Sequence, residues 1–155
     1  VTIRPAVVHD ADEIASLILR LKRLNGEFDP LLKVREDALE NAKRYVQDVV
    51  KEGKQLLLVA DEGGKPVGVI NAVLRERSFY EPRWEGAILD FYILPEHRRG
   101  GLGRKMLEEA IKEMKARGAQ IITAEFPAQN KIASSFYDAL GFRPITSVYA
   151  KQEKI

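Results

Sequence analysis

Three glycines in four positions, within Arg98-Arg99-Gly100-Gly101-Leu102-Gly103-Arg104, join a strand-like run ending at Pro95 to a helical run starting at Leu102. This junction constrains the chain more than any other stretch. A helix N-terminus presents unpaired N–H groups and a partial positive charge. Glycine lets the backbone approach a bulky anion and take positive φ angles. Arg98, Arg99 and Arg104 add charge. Together these features describe a cradle for a pyrophosphate. The loop alone does not name the ligand, and glycines that merely turn a strand into a helix would read the same way. A nucleotide P-loop would end in Gly-Lys-Ser or Gly-Lys-Thr, whereas this loop ends Gly103-Arg104-Lys105-Met106. The dinucleotide fingerprint fails too, because Gly101-x-Gly103 is followed by Met106 where glycine is required.

The rest of the chain supplies the frame. Residues 2–7 read as a strand. A helix is expected from Asp10, with Glu13 completing a capping-box pattern, and Ile14, Leu17, Ile18, Leu21 and Leu24 at helical spacing. A second helix runs from about Glu36 to Val50 and closes at Gly53. Gln55 to Asp61 and Val67 to Leu74 read as strands joined by a Gly63-Gly64 hairpin turn. Arg75 to Glu85 reads as a flexible connection, and Gly86 to Leu94 as the strand that enters the glycine turn. After the cradle, Leu102, Met106, Leu107, Ala110, Ile111 and Met114 form a helical stripe capped by Gly118. Ala119 to Phe126 is strand-like, Gln129 to Leu140 is a helix ended by Gly141, and Phe142 to Lys151 reads as a closing strand. The order β-α-α-β-β-β-α-β-α-β has no repeat or linker and predicts one α/β domain, residues 1–155, around a mixed sheet.

Composition narrows the function. With 155 residues, 45% apolar and 31% charged, the chain can bury a core of ordinary size. Its 25 basic and 23 acidic residues leave a net charge of +2, too small a surplus to argue for nucleic acid. The absence of cysteine excludes disulfides, zinc thiolates and a thiol nucleophile. Two histidines, His9 and His97, make a histidine-rich metal site unexpected. No apolar signal core follows the start Val-Thr-Ile-Arg-Pro, and no run of about 18 apolar residues occurs. A cytoplasmic enzyme or binding protein is the expectation.

Two motifs together resemble the GNAT superfamily of acetyltransferases. Its pyrophosphate signature is Arg or Gln, two residues, Gly, one residue, then Gly or Ala, and Arg98-x-x-Gly101-x-Gly103 matches it. Phe91-Tyr92-Ile93-Leu94-Pro95-Glu96-His97 resembles the family's central strand and its exit. Asn130, Ala133, Tyr137 and Gly141-Phe142 stand at the spacings of its second signature. The resemblance implies a mostly antiparallel mixed, twisted sheet with a splayed central strand and about four flanking helices. It implies acetyl-CoA as co-substrate, without a metal. Backbone N–H groups from Arg99 to Arg104, through Gly100, Gly101, Leu102 and Gly103, would hold the pyrophosphate. Phe91, Tyr92 and Ile93 would pair with the pantetheine arm like an added strand, and Asn130 would hydrogen-bond that arm. A bulge in the central strand would open a V-shaped slot, where an N–H near Phe91 would polarise the thioester carbonyl.

Transfer to an amine needs a neutral amine, a stabilised tetrahedral intermediate and a departing thiolate. The resemblance assigns Tyr137 as the acid that protonates the thiolate. For the base, Asp90 on the central strand, Glu85 at its start, Glu125 on the next strand and a water chain all qualify. Asp90 is adjacent to the expected oxyanion donor, although strand alternation could point it away from the slot. His97, beside the arginines, reads as a solvated loop residue. By family analogy the acceptor site uses Phe28-Asp29-Pro30 and Phe79-Tyr80-Glu81-Pro82-Arg83-Trp84-Glu85, whose aromatics and carboxylates suit a cationic amine. The acceptor would be a small-molecule or peptide amine, with no nucleic acid or membrane partner. Homodimers are common in the family. A catalytically silent acyl-CoA sensor is the competing reading.

Overall fold

The computed structural model describes residues 1–154. Five strands form one sheet in the order β1 (Thr2–Pro5), β2 (Leu56–Glu62), β3 (Lys65–Glu76), β4 (Trp84–Ile93) and β5 (Ile121–Ala124). The first three pairings are antiparallel; β4 and β5 run parallel. Four helices complete the domain: α1 (Ala11–Gly26), α2 (Ala38–Glu52), α3 (Leu102–Ala116) and α4 (Lys131–Ala139). This is the mixed sheet with four helices that the sequence pattern implied. None of the helices among the described residues is long and apolar enough to cross a membrane.

Each face of the sheet has its own core. On one face Ile14, Leu17 and Ile18 of α1 and Val46 and Val49 of α2 meet Leu57, Val59, Val69 and Tyr92. On the other, Met106, Leu107, Ala110 and Met114 of α3, with Tyr137 of α4, meet Leu58, Ala60, Ile70, Ile88 and Ile93. The central strands are apolar almost throughout because helices cover both faces.

Three expectations fail locally. Asp10 does not cap α1: it sits in a 3-10 turn with helical backbone angles, and its carboxylate turns back onto Arg4 (2.7 and 2.9 Å) and the Val7 N–H (2.8 Å). Arg4 also reaches Asp61 at 3.0 Å, so this cluster ties β1 to β2 and to the start of α1. Arg75 to Glu85 is not a flexible connection throughout, because Arg75 pairs with Glu85 and Glu76 with Trp84, leaving only residues 77–83 as a loop. The closing strand is absent: residues 143–150 belong to no strand, and all are exposed. Their β-branched composition suits a sheet, but strand propensity needs a neighbour to pack against, and these exposed residues have none.

Candidate active site

The site begins with one extra residue in β4. Asn71 pairs with Asp90, but the next pair is Ala72 with Ile88, so Leu89 is bulged out. A bulge reverses the facing of everything beyond it. Ile88 belongs to the core under α3, whereas Asp90, two residues on, lies beside Asn71 on the α1–α2 face. Plain strand alternation would have put both on one face. On its other side β4 pairs with β5 only from Glu85–Ile121 to Ile88–Ala124. A last bond from the Glu125 N–H to the Ile88 carbonyl (3.2 Å) closes that pairing. Beyond it the strands part, and Asp90 to Ile93 have no β5 partner among the described residues. The bulge and slot implied by the family resemblance are both present.

The far end of the slot meets the glycine turn. Gly100 and Gly101 take consecutive positive φ angles, +83° and +79°. A Cβ on either would meet nothing within 4 Å, so glycine serves the backbone conformation there and the surface is open. Gly101 is the N-cap of α3, no side chain caps it, and the first helical bond runs from the Lys105 N–H to the Gly101 carbonyl. The N–H groups of Leu102, Gly103 and Arg104 therefore lack helical acceptors and suit an anion. Gly103 differs: a Cβ there would sit 3.6 Å from Ile93 and 3.7 Å from Phe136, ordinary contact. Arg98 braces the strand exit, its Nε donating to the Ile93 carbonyl (2.8 Å) and its guanidinium lying 5.2 Å from the Tyr92 ring centre. Arg104 pairs with Glu108 one turn on (3.1 Å), and Arg99 is exposed. His97 is not a freely solvated residue: it is partly buried and paired with Glu62, which fastens the loop to the end of β2.

Helix α4 closes the same side. The Asn130 Oδ1 accepts the Ala133 N–H (3.0 Å) and so starts the helix, which leaves its Nδ2 as the donor for a ligand. Tyr137 is 7% exposed. Its ring stacks on Phe126 (5.4 Å, 7°) and meets Phe136 and Phe142 edge-on, while Phe136 meets Phe91 of the slot at 6.0 Å. Burial pushes the phenol up to about 12, so it keeps its proton at neutral pH.

The opposite face of β4 is polar. Asp90, 6% exposed, receives the Lys22 ammonium at 2.6 Å and the Asn71 amide at 3.0 Å. The same amide group donates to the Tyr45 hydroxyl (2.8 Å), and Gln55 donates to Asn71 and Tyr45. The other two base candidates are differently placed. Burial raises the Glu85 carboxyl, but hydrogen bonds from Arg75 and Thr123 outweigh it and hold Glu85 below the ordinary range, which weakens it as a base. Glu125 is exposed, with a single 3.5 Å contact to Arg75. Leu89, Lys22 and Asn71 were not singled out in the sequence. Two of them left a trace: Asn71 interrupts the apolar run of β3, and Lys22 continues the Ile14–Ile18 line of α1.

The aromatic loop between β3 and β4 projects outward, with Phe79 91% exposed. Arg77 lies 5.5 Å from the Tyr80 ring centre and Arg83 lies 5.4 Å from that of Trp84, so the chain's own cations already occupy these two rings.

The profile of the Acetyltransferase (GNAT) family matches residues 20–142. An uncharacterized N-acetyltransferase of Methanocaldococcus jannaschii is 28% identical over 141 residues, covering 91% of this chain and 60% of that protein. The [ribosomal protein bS18]-alanine N-acetyltransferase of Escherichia coli K12 is 36% identical over 62 residues, 40% of this chain and 42% of that one. The matched stretches thus span 60% and 42% of these relatives' own lengths, less than two thirds of either. A predicted acetyltransferase of Clostridium acetobutylicum, solved with acetyl-CoA, superposes with a TM-score of 0.80 at 18% identity, over 97% of this chain and 95% of that one.

Proposed function

We infer from the chain's place in the Acetyltransferase (GNAT) family, to which it belongs, that it transfers an acetyl group from acetyl-CoA to a primary amine by direct attack within a ternary complex. The observation that carries this reading is the Leu89 bulge, which parts β4 from β5 beside a helix N-terminus that no side chain caps. The backbone N–H groups from Arg99 to Arg104 hold the pyrophosphate, with Arg99 adding charge. Arg98 acts by fixing the strand exit. The open edge of Phe91, Tyr92 and Ile93 takes the pantetheine arm as an added strand, Asn130 Nδ2 donates to it, and an N–H near Phe91 polarises the thioester carbonyl.

In the transfer step the amine nitrogen forms a bond to the acetyl carbon and the carbon–sulfur bond breaks. The thiolate takes the Tyr137 proton, which burial has kept in place. One proton of the incoming ammonium passes to Asp90, and the second, shed by the nitrogen as the tetrahedral intermediate collapses, returns Tyr137 to the phenol. Lys22 suggests how that amine arrives: its primary ammonium already sits on Asp90, and its side chain is 47% exposed, so an acceptor ammonium can displace it. The acceptor is then a small-molecule or peptide amine; the name of the Escherichia coli relative supports a peptide N-terminus as one candidate. Residues 1–155 form the single domain that does this.

The test is a panel of amines and peptides mixed with acetyl-CoA, with free thiol and N-acetyl product measured together. Thiol release matching product is expected. Tight acetyl-CoA binding without product on any amine would replace the enzyme by a silent acyl-CoA sensor.

A further inference from the structure

Lys22 is itself a primary amine, and it already stands where an acceptor amine must stand to lose its proton. Its Nζ lies 2.6 Å from Asp90 Oδ1. The carboxylate is held still for it. Asn71, 0% exposed, donates to Asp90 Oδ2 at 3.0 Å, and Gln55 donates in turn to Asn71 at 3.0 Å. One oxygen of Asp90 is thus anchored while the other faces the ammonium. Among the described residues one other lysine is paired with a carboxylate. That pair, Lys151 with Glu153, is 3.8 Å apart with side chains 85% and 77% exposed.

The position of Lys22 is set by a helix rather than by a loose loop. It follows Ile14 and Ile18 at four-residue steps along the face of α1 that packs on the sheet. As a brace its ion pair contributes modestly, because the lysine side chain is 47% exposed and water and salt reach it. Asp90 is also the neighbour of Phe91, whose N–H is the proposed partner of the thioester carbonyl, and β5 has already parted from β4 there. An amine on Asp90 is then within reach of the acyl carbon, whichever molecule carries that amine.

We propose that Lys22 is an acetylation site of this chain, filled in cis from its own acetyl-CoA when no outside amine displaces it; this presupposes the transfer reaction with Asp90 as base. Lys22 Nζ forms the bond to the acetyl carbon and the carbon–sulfur bond breaks. One ammonium proton goes to Asp90, the thiolate takes the Tyr137 proton, and the second nitrogen proton restores the phenol. The amide left on Lys22 carries no charge. It no longer forms an ion pair with Asp90, which is open to an incoming ammonium once its proton has passed to water.

The test incubates the full chain with acetyl-CoA alone and follows free thiol and the acetylation of each lysine together. Thiol release is expected to stop at one equivalent per chain. The acetyl group is expected on Lys22 and not on the exposed Lys51 and Lys54, at a rate per chain that dilution does not change. Lys22→Arg is expected to abolish the release. Asp90→Asn is expected to leave Lys22 unmodified while still binding acetyl-CoA, which shows that the variant is folded. Three results would each overturn the proposal: Lys22 acetylated no faster than Lys51, Lys22 acetylated equally in Asp90→Asn, or a rate per chain that rises with protein concentration. Amines acetylated by a chain whose Lys22 stays unmodified in acetyl-CoA alone would overturn it and leave the transfer reaction standing. No product on any amine and none on Lys22 would remove both.

Discussion

Beyond Leu89 the two faces of β4 differ as sharply as any two regions of the molecule. Toward α3 and α4 the strand shows Phe91 and Ile93 to an apolar wall of Phe136, Phe126 and Tyr137. Toward α1 and α2 it shows Asp90, held by Lys22 and Asn71. One inserted residue produces the contrast, because it turns Asp90 away from the face that Ile88 occupies. Each side carries a different proposed task. The apolar face keeps a phenol protonated beside the leaving group, and the polar face offers a carboxylate, already paired with one ammonium, to the acceptor amine.

The contrast can be broken from either side. The largest effect is expected for Gly101→Glu combined with Gly103→Glu, which sets carboxylates at the cradle and strains a positive φ. Calorimetry should show acetyl-CoA affinity falling by about 100-fold or more, near 3 kcal/mol. Normal affinity would remove the cradle altogether. Tyr137→Phe should leave acetyl-CoA binding intact and slow the transfer step by about 10 to 100-fold, the low end for acid catalysis because a thiolate leaves readily.

The same variant sharpens the apolar side through pH. A phenol whose pKa is raised in the folded state adds stability that is fully present below the unfolded value near 10 and is lost as pH rises toward about 12. Wild type should therefore lose about 2–3 kcal/mol more than Tyr137→Phe across that window in chemical denaturation. Equal losses would mean that the phenol is not buried in solution.

On the polar side Lys22→Met should cost about 1 kcal/mol, since the lost partner is half exposed and water can reach Asp90 in its place. It should also lower KM for the amine by freeing the carboxylate. A raised KM would show that Lys22 helps to bind the acceptor. The smallest effect is expected for Gly103→Ala, whose methyl meets only ordinary contacts. Stability and acetyl-CoA affinity should each move by less than about 1 kcal/mol.

The two faces were not equally legible in the sequence. The cradle could be read because its physics is local: consecutive glycines, an uncapped helix start and nearby arginines all sit within seven residues. Asn130 to Phe142 could be read because helix spacing fixes where Tyr137 must lie. The polar face is assembled from α1, α2, the turn before β2, β3 and β4, and Lys22 lies 68 residues from Asp90, so no local pattern joins them. Strand periodicity cannot show a bulge, because Leu89 looks like any other apolar residue in an apolar strand. Asp10 failed as a cap for a similar reason: its partner Arg4 lies outside the helix whose start it was expected to mark. The tail read as a strand from composition, and only the structure shows that its own sheet does not receive it.

The central claim is that donor binding and acceptor chemistry lie on opposite faces of β4. Measuring acetyl-CoA affinity and acetyl transfer together in Asp90→Asn tests it most directly. Affinity within about twofold of wild type and transfer reduced by at least about tenfold are expected. Acetyl-CoA affinity lost as completely as in the glycine double variant, or transfer left at the wild-type rate, would contradict it.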